Sequence, residues 1–345
     1  MQIYIQIYYE KYYNIKYYKN MERETEMGYK ILSHIGTALG NNKVNNDYFL
    51  QQMLEENREK GKHFFEDIMG RDIRYIADEN QTSLTLAVDA SKEAIDCNKV
   101  NVEEVGLVIC ISQTPEYTSP TMARMVVEAI GAKETTNCFD MNANCTGMME
   151  ALDLADRYFR TDSQMKYILL VQGDRNSSYH TETTSPFFGC LSDIGCAVIL
   201  ERDEERGIQS RHFLLSNAES KNIVYPKEGY SKPNPVLYVQ PDTDPGVEAM
   251  TEHIQELYGE ERLKNMDLLC ISQFAYINWK RFVDTAQVDP EKVPYVGNKY
   301  GYTGASSPLF ALKQAVESGK VKRGATILFW TYGAGYLHGI LEIKY

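Results

Sequence analysis

One segment has the residue types for covalent chemistry. Residues 138–159 read CFDM, then NANCTG, then MMEALDLADRYF: strand, tight polar turn, helix. Cys145 stands where the helix begins. Backbone N–H groups there lack helical partners and the helix dipole is positive, which favours a thiolate. The spacing therefore predicts a cysteine of lowered pKa. Gly147 is expected to clear space beside the sulfur for a substrate. A thiolate on a strand–helix elbow suits covalent acyl transfer. Cys97, Cys110, Cys138, Cys190, Cys196 and Cys270 read instead as small buried apolar residues.

A second segment, TYGAGYLHG at 331–339, follows the apolar run ATILFW. Gly333 and Gly335 bracket Ala334. Such a turn either closes a simple hairpin or presents backbone N–H groups to a ligand. In the second case the N–H groups of Ala334 and Cys145 would form an oxyanion hole for a thioester carbonyl.

Short apolar runs alternating with amphipathic stretches must position these groups. Strands are predicted at 29–37, 105–112, 137–141, 166–172, 266–272 and 325–330. Helices are predicted at 46–60, 82–98, 122–130, 147–159, 247–258, 279–287 and 308–318, with Gly131 as a stop signal. The run VGLVICIS at 105–112 fits a strand buried on both faces. LVICISQ at 107–113 is echoed by LLCISQ at 268–273, and CAVILE at 196–201 by GILEI at 339–343. Two echoes in the same order favour two related α/β halves, 27–205 and 206–345. Alternating strands and helices imply parallel sheets covered by helices, with sites at the strands' carboxyl ends.

Residues 1–26 differ from the rest. The first 18 hold seven tyrosines amid Ile, Lys and Asn. The extension is either a docking tail or the product of an upstream start codon, and is expected to be disordered. Thirty-six basic residues against 48 acidic ones give a net charge of −12, with no visible basic patch. That argues against a nucleic-acid partner. No run of 18 apolar residues predicts a membrane span. Seven scattered cysteines with no CxxC pair fit a reducing cytoplasm and no metal site.

From Met27 to the C-terminus the sequence resembles β-ketoacyl-ACP synthase III of the thiolase superfamily. The resemblance rests on GRDIRYIADEN at 70–80, VGLVICISQTPEYTSP at 105–120 and FDMNANCTGMMEALDLADRYF at 139–159. It continues through KYILLVQGDR at 166–175, LSDIGCAVIL at 191–200, GNKYGYTGASSP at 297–308 and the final TYGAGYLHG. The resemblance implies a five-layered αβαβα fold from two duplicated halves. It implies a homodimer joined at the sheet edge beside the nucleophile strand, no bound cofactor, and acyl-CoA or acyl carrier protein as acyl source.

The family's Cys-His-Asn triad carries over onto Cys145. Its His position falls on Ser272 in ISQFAYIN, and its Asn position on Tyr302 in YGYT. Ser272 can donate a hydrogen bond but is a poor base at neutral pH; Tyr302 can donate from its hydroxyl, and its bulk is expected to reshape the pocket. Acylation of Cys145 is therefore expected to survive better than carbon–carbon bond formation. Phe64 stands where the family stacks a CoA adenine on Trp; Ile68 and Ser185 stand where it places Arg. An acyl carrier protein is then the alternative donor. Phe64, Gly333 and Gly335 are expected to bind substrate. His180 and His338 are secondary histidine candidates, the loop at 177–188 is expected to line the acyl tunnel or a dimer contact, and Asp193 is expected to be structural. The sequence points to an acyltransferase of fatty-acid or specialised lipid or polyketide biosynthesis. The alternative is a non-elongating subunit paired with an intact synthase.

Overall fold

The structure is a computed structural model that describes residues 28–181, 185–232, 236–240 and 245–345. The N-terminal extension at 1–26 lies outside the described residues, as does part of the expected tunnel loop.

The chain forms strands β1 (Gly28–Ile31), β2 (Gly36–Leu39), β3 (Asn42–Asn45), β4 (Ile73–Ile76), β5 (Val105–Ile111), β6 (Asn137–Met141), β7 (Tyr167–Asp174) and β8 (Ile194–Asp203). Then follow β9 (Gly207–Leu215), β10 (Ile223–Val224), β11 (Tyr238–Val239), β12 (Leu268–Ile271), β13 (Thr326–Gly333) and β14 (Leu337–Lys344). The main helices are α1 (Ser83–Asn98), α2 (Met122–Ile130), α3 (Gly147–Thr161), α4 (Val247–Tyr258), α5 (Tyr276–Ala286) and α6 (Ser307–Glu317). One mixed sheet runs β1-β8-β7-β5-β6, with β2 also on β8; a second runs β12-β13-β14-β9.

Strand alternation sorts the side chains into layers. On β5, Leu107, Ile109 and Ile111 face a central core filled by α3 and α6. Val108 and Cys110 face α1 and α2 instead. On β12, Leu268 and Cys270 join that central core, while Leu269 and Ile271 pack outward against α4 and α5. The order is helix, sheet, helix, sheet, helix: the expected five-layered α/β fold. The echoing strands hold matching places. β5 and β12 each pair in parallel with β7 or β13, and β8 and β14 each close antiparallel on those. Helix α1 presents Ala87, Ala90 and Ala94 to a sheet thinned by glycine. A Cβ at Gly195 would lie 1.9 Å from the Leu86 carbonyl oxygen, so only glycine permits this approach.

Local differences have local causes. The strand predicted at 29–37 splits into β1 and β2, both on β8. The helix predicted at 46–60 breaks into Asn46–Leu50, a 3₁₀ turn Glu55–Asn57 and Arg58–His63. The break lets Gly61 fold back on Met53, whose sulfur would lie 2.6 Å from a Cβ there. Of the cysteines read as buried, Cys97 is exposed and Cys138 half-buried, because α1 ends at the surface and β6 lies at the sheet edge. No helix among the described residues is long and apolar enough to cross a membrane.

Candidate active site

Cys145 sits in a 3₁₀ turn, Asn144–Thr146, that leads directly from β6 into α3. Asn144 takes φ +50°, a left-handed conformation that asparagine tolerates. Its N–H donates to the Asn142 side chain at 2.9 Å, and the Thr146 hydroxyl donates to the Ala143 carbonyl at 2.8 Å. The turn thus fixes the thiol without a base of its own. Gly147 serves a different purpose from the one expected. A Cβ there would lie 2.7 Å from Ile111 Cγ2, so the glycine lets α3 dock on β5.

The 331–339 segment is both a hairpin and a ligand-facing turn. Gly333 closes β13 against Leu337 of β14, and Gly335 takes φ +81°. A Cβ on Gly333 would lie 3.1 Å from the Cys145 nitrogen, so the hairpin lies directly on the nucleophile turn. Asn144 Nδ2 donates to the Ala334 carbonyl at 3.3 Å, and the Thr331 hydroxyl to the Cys145 carbonyl at 3.2 Å. The Ala334 backbone lies close enough to the Cys145 sulfur to favour its charged form. Asn222 accepts from the Gly335 N–H at 2.9 Å and holds the turn from behind.

Ser272 and Tyr302 converge on the same sulfur. Tyr302 is buried, with its ring edge-on to Phe274 at 5.2 Å. Its hydroxyl lies against the Cys145 thiol and the Ser272 hydroxyl. Ser272 is also buried, at the end of β12. Neither hydroxyl has a well-formed hydrogen bond among the described residues, so both are available to a group in the site. Burial first, and then the neighbouring thiol, push the Tyr302 phenol well above its ordinary value.

Two residues not anticipated from the sequence complete this group. Tyr332 lines the cavity beside Cys145, and Asn278 Nδ2 donates to its hydroxyl at 2.7 Å. Gln113 also reaches the sulfur. Behind it, buried Asp174 accepts from the Ser112 hydroxyl at 2.9 Å, the Gln113 N–H at 2.8 Å and the Gln172 amide at 2.6 Å.

The electrostatics differ from the sequence expectation. Burial pushes the Cys145 thiol above its ordinary value, and the Asp174 carboxylate pushes the same way. The nearby polar groups of Tyr302, Gln113 and the Ala334 backbone offset part of this. The resting site therefore favours the thiol over the thiolate.

The cavity around the sulfur measures about 730 Å³. Phe64 and Ile68 line it as expected, but no guanidinium joins them among its lining residues. Ser185 is buried, 2.6 Å from His180 Nδ1, and does not line this cavity. His180 and His338 both line it, yet burial lowers their pKa values to about 4 and about 3. Both are neutral at pH 7. Asp193 accepts from the Ala77 and Ser177 N–H groups, each at 2.7 Å, which is a structural tie. Arg71 is fully buried: Nε donates to the Cys190 carbonyl, Nη1 to the Met69 carbonyl and Tyr295 hydroxyl, and Nη2 to the Gln273 and Phe274 carbonyls. It anchors the loop that begins at Ser272. Among the described residues no cluster of His, Cys, Asp or Glu could hold a metal ion.

Known proteins share this sequence and fold. Residues 139–218 match the profile of 3-oxoacyl-[acyl-carrier-protein] synthase III, and residues 260–345 that of its C-terminal region. The β-ketoacyl-[acyl-carrier-protein] synthase III of Coxiella burnetii is 30% identical over 284 residues, spanning 79% of this chain and 87% of that protein. The Haemophilus influenzae protein of the same name is 27% identical over 284 residues, with the same coverage. The 3-oxoacyl-[acyl-carrier-protein] synthase III of Aquifex aeolicus superposes with a TM-score of 0.80 at 25% identity, covering 92% of this chain and 100% of that one. Xanthomonas OleA, solved with cerulenin, shares the fold with a TM-score of 0.79 at 17% identity, covering 93% and 97%.

Proposed function

Because this chain belongs to the 3-oxoacyl-[acyl-carrier-protein] synthase III family, we propose that it is an acyltransferase working through Cys145. It forms an acyl thioester there and passes the acyl group to a carrier-bound or small-molecule acceptor in fatty-acid or specialised lipid or polyketide biosynthesis. The observation that carries this reading is a glycine-bracketed hairpin turn seated on a cysteine that opens a helix, so close that a Cβ on Gly333 would lie 3.1 Å from the Cys145 nitrogen.

In the loading step, the Cys145 sulfur attacks the donor's thioester carbonyl. The carbonyl oxygen gains the charge and receives the N–H groups of Cys145 and Ala334. Collapse expels the donor thiolate, which takes up the proton lost by the thiol. In the transfer step, Ser272 and Tyr302 donate to the oxygen on which the acceptor's charge develops. Tyr302 supports this role because its raised pKa keeps the phenolic proton in place at neutral pH. Phe64 fits a flat donor moiety at the cavity wall, while Ile68 in place of a cation favours delivery by an acyl carrier protein over CoA. The edge position of β6 suits pairing with a second copy of the chain.

The test is intact-protein mass after incubation with a panel of acyl-CoAs and acyl carrier proteins, beside Cys145→Ala. An adduct present in the wild type and absent in the variant is the expected result. No adduct from any donor, in a folded protein, overturns this reading in favour of a non-elongating partner subunit.

A further inference from the structure

Buried tyrosines in this molecule show what a fully used phenol looks like. Tyr295 accepts from Arg71 Nη1 at 2.7 Å and donates to the Met69 carbonyl at 2.7 Å. Both roles of its oxygen are filled within the fold. Tyr332 is different. Its oxygen accepts from Asn278 Nδ2 at 2.7 Å, and among the described residues no acceptor for its own proton has full hydrogen-bond geometry. The Ser272 hydroxyl lies near it, itself without a well-formed partner among the described residues. The ring cannot turn away, because it packs on Trp330 at 5.4 Å and on His338 at 6.0 Å. Asn278 is likewise held: it is 7% exposed and lies in the first turn of α5.

The geometry points to Tyr332 as a second phenolic donor to the acceptor's oxygen, paired with Tyr302 across Cys145, with Asn278 as the positioning residue that directs its proton into the cavity. This rests on the reading of Cys145 as an acyl-carrying nucleophile. Each phenol has one proton, and an oxygen that gains a full charge has lone pairs for several donors, so Tyr332 can add to Tyr302 and Ser272. With a malonyl thioester as acceptor, loss of carbon dioxide leaves an electron pair that resides on the thioester oxygen. The two phenols donate to that oxygen. The enolate carbon then bonds to the acyl carbon, the acyl–sulfur bond breaks, and its pair returns to Cys145, which takes a proton from solvent.

The experiment separates loading from transfer. Enzyme is charged with an acyl group from the best donor in the mass panel, then mixed with malonyl-acyl carrier protein in a single turnover. Loss of one charge-stabilising donor costs about 10²–10³-fold, so Tyr332→Phe is expected to slow transfer by that factor, with loading changed less than threefold. Asn278→Ala is expected to slow transfer by about tenfold, the factor that loss of a hydrogen bond worth about 1.4 kcal/mol removes. Because Asn278 acts only through Tyr332, Asn278→Ala added to Tyr332→Phe should cost nothing more. A structural role would instead give additive losses and slow both steps alike. Additive losses, equal slowing of both steps, or undiminished transfer in Tyr332→Phe overturn this assignment alone. A wild-type enzyme that charges but never transfers also overturns it. A wild-type enzyme that takes no acyl group overturns it together with the reading of Cys145.

Discussion

The turn that carries the thiol has a twin. Asn144–Thr146 leads into α3, and Gly304–Ser306 leads in the same way into α6. Asn144 has φ +50° and Gly304 φ +60°. Thr146 donates its hydroxyl to the Ala143 carbonyl at 2.8 Å, and Ser306 donates to the Thr303 carbonyl at 2.9 Å. Cys145 therefore corresponds to Ala305, which is fully buried. The strand ends repeat the contrast. Ser112 and Ser272 each follow the matching strands β5 and β12. Ser112 donates within the Asp174 network, whereas the Ser272 hydroxyl is left facing the cavity. The two halves repeat one scaffold, and they differ in which hydroxyl at the strand end is tied into the fold and which is left without a well-formed partner among the described residues.

The comparison can be broken first at the twin turns. Cys145→Ala makes the two alike and is expected to abolish the acyl adduct, a loss beyond ~10³-fold in turnover. Adding Ala305→Cys should not restore it, since neither the Ala334 N–H nor the Tyr302 phenol faces that position. Intact mass reports both. Next come the paired serines. Ser272→Ala is expected to slow acyl transfer about 10²-fold while leaving the denaturation midpoint unchanged, because its hydroxyl makes no well-formed bond among the described residues. Ser112→Ala should do the reverse. It leaves buried Asp174 with one donor fewer, which lowers unfolding free energy by about 1–3 kcal/mol in urea titrations.

The thiol itself sharpens the contrast between helix position and burial. Its pKa is raised, so alkylation of Cys145 by iodoacetamide should climb about tenfold per pH unit through pH 8 and beyond, without a neutral plateau. A plateau near pH 7 would show that the helix terminus outweighs burial. Gly147 and Ser307 are the next pair, since only the second tolerates a side chain. Gly147→Ala is expected to destabilise by about 1–3 kcal/mol through the clash with Ile111. A further test reads burial through pH, at His338. Its folded pKa lies below the unfolded value, so its contribution to stability is complete above about pH 6.5 and is lost as pH falls toward about 3. His338→Gln should therefore flatten the loss of stability between pH 6.5 and 4, measured by urea midpoints.

What could be read in the chain was what neighbouring residues decide. Helix α2 matches its predicted limits because Thr121 caps one end and Gly131, at φ +74°, closes the other. The Cys145 elbow was legible for the same reason: strand, turn and helix follow within a dozen residues. Groups assembled across the chain were not. Asn278 and Tyr332 stand 54 residues apart and meet only because α5 begins where β13 ends. Ser272 and Tyr302 were placed through resemblance, since neither carries a local signal. The direction of the Cys145 shift also escaped, because burial by Tyr302 and the hairpin depends on segments more than 150 residues away. Gly147 was misread because Ile111, which excludes a side chain there, belongs to another strand.

Arg71 has a dynamic consequence. Its guanidinium joins Met69 in the cavity wall to Cys190, Tyr295 and the carbonyls of Gln273 and Phe274. Loosening any one of these contacts strands part of a buried charge, so the contacts open together or not at all. The cavity wall at Met69 is thereby tied to the loop that carries Ser272. Amide exchange at 69–71 and 273–275 should proceed with a single opening free energy, and breathing at the cavity mouth should unseat the donors at its floor.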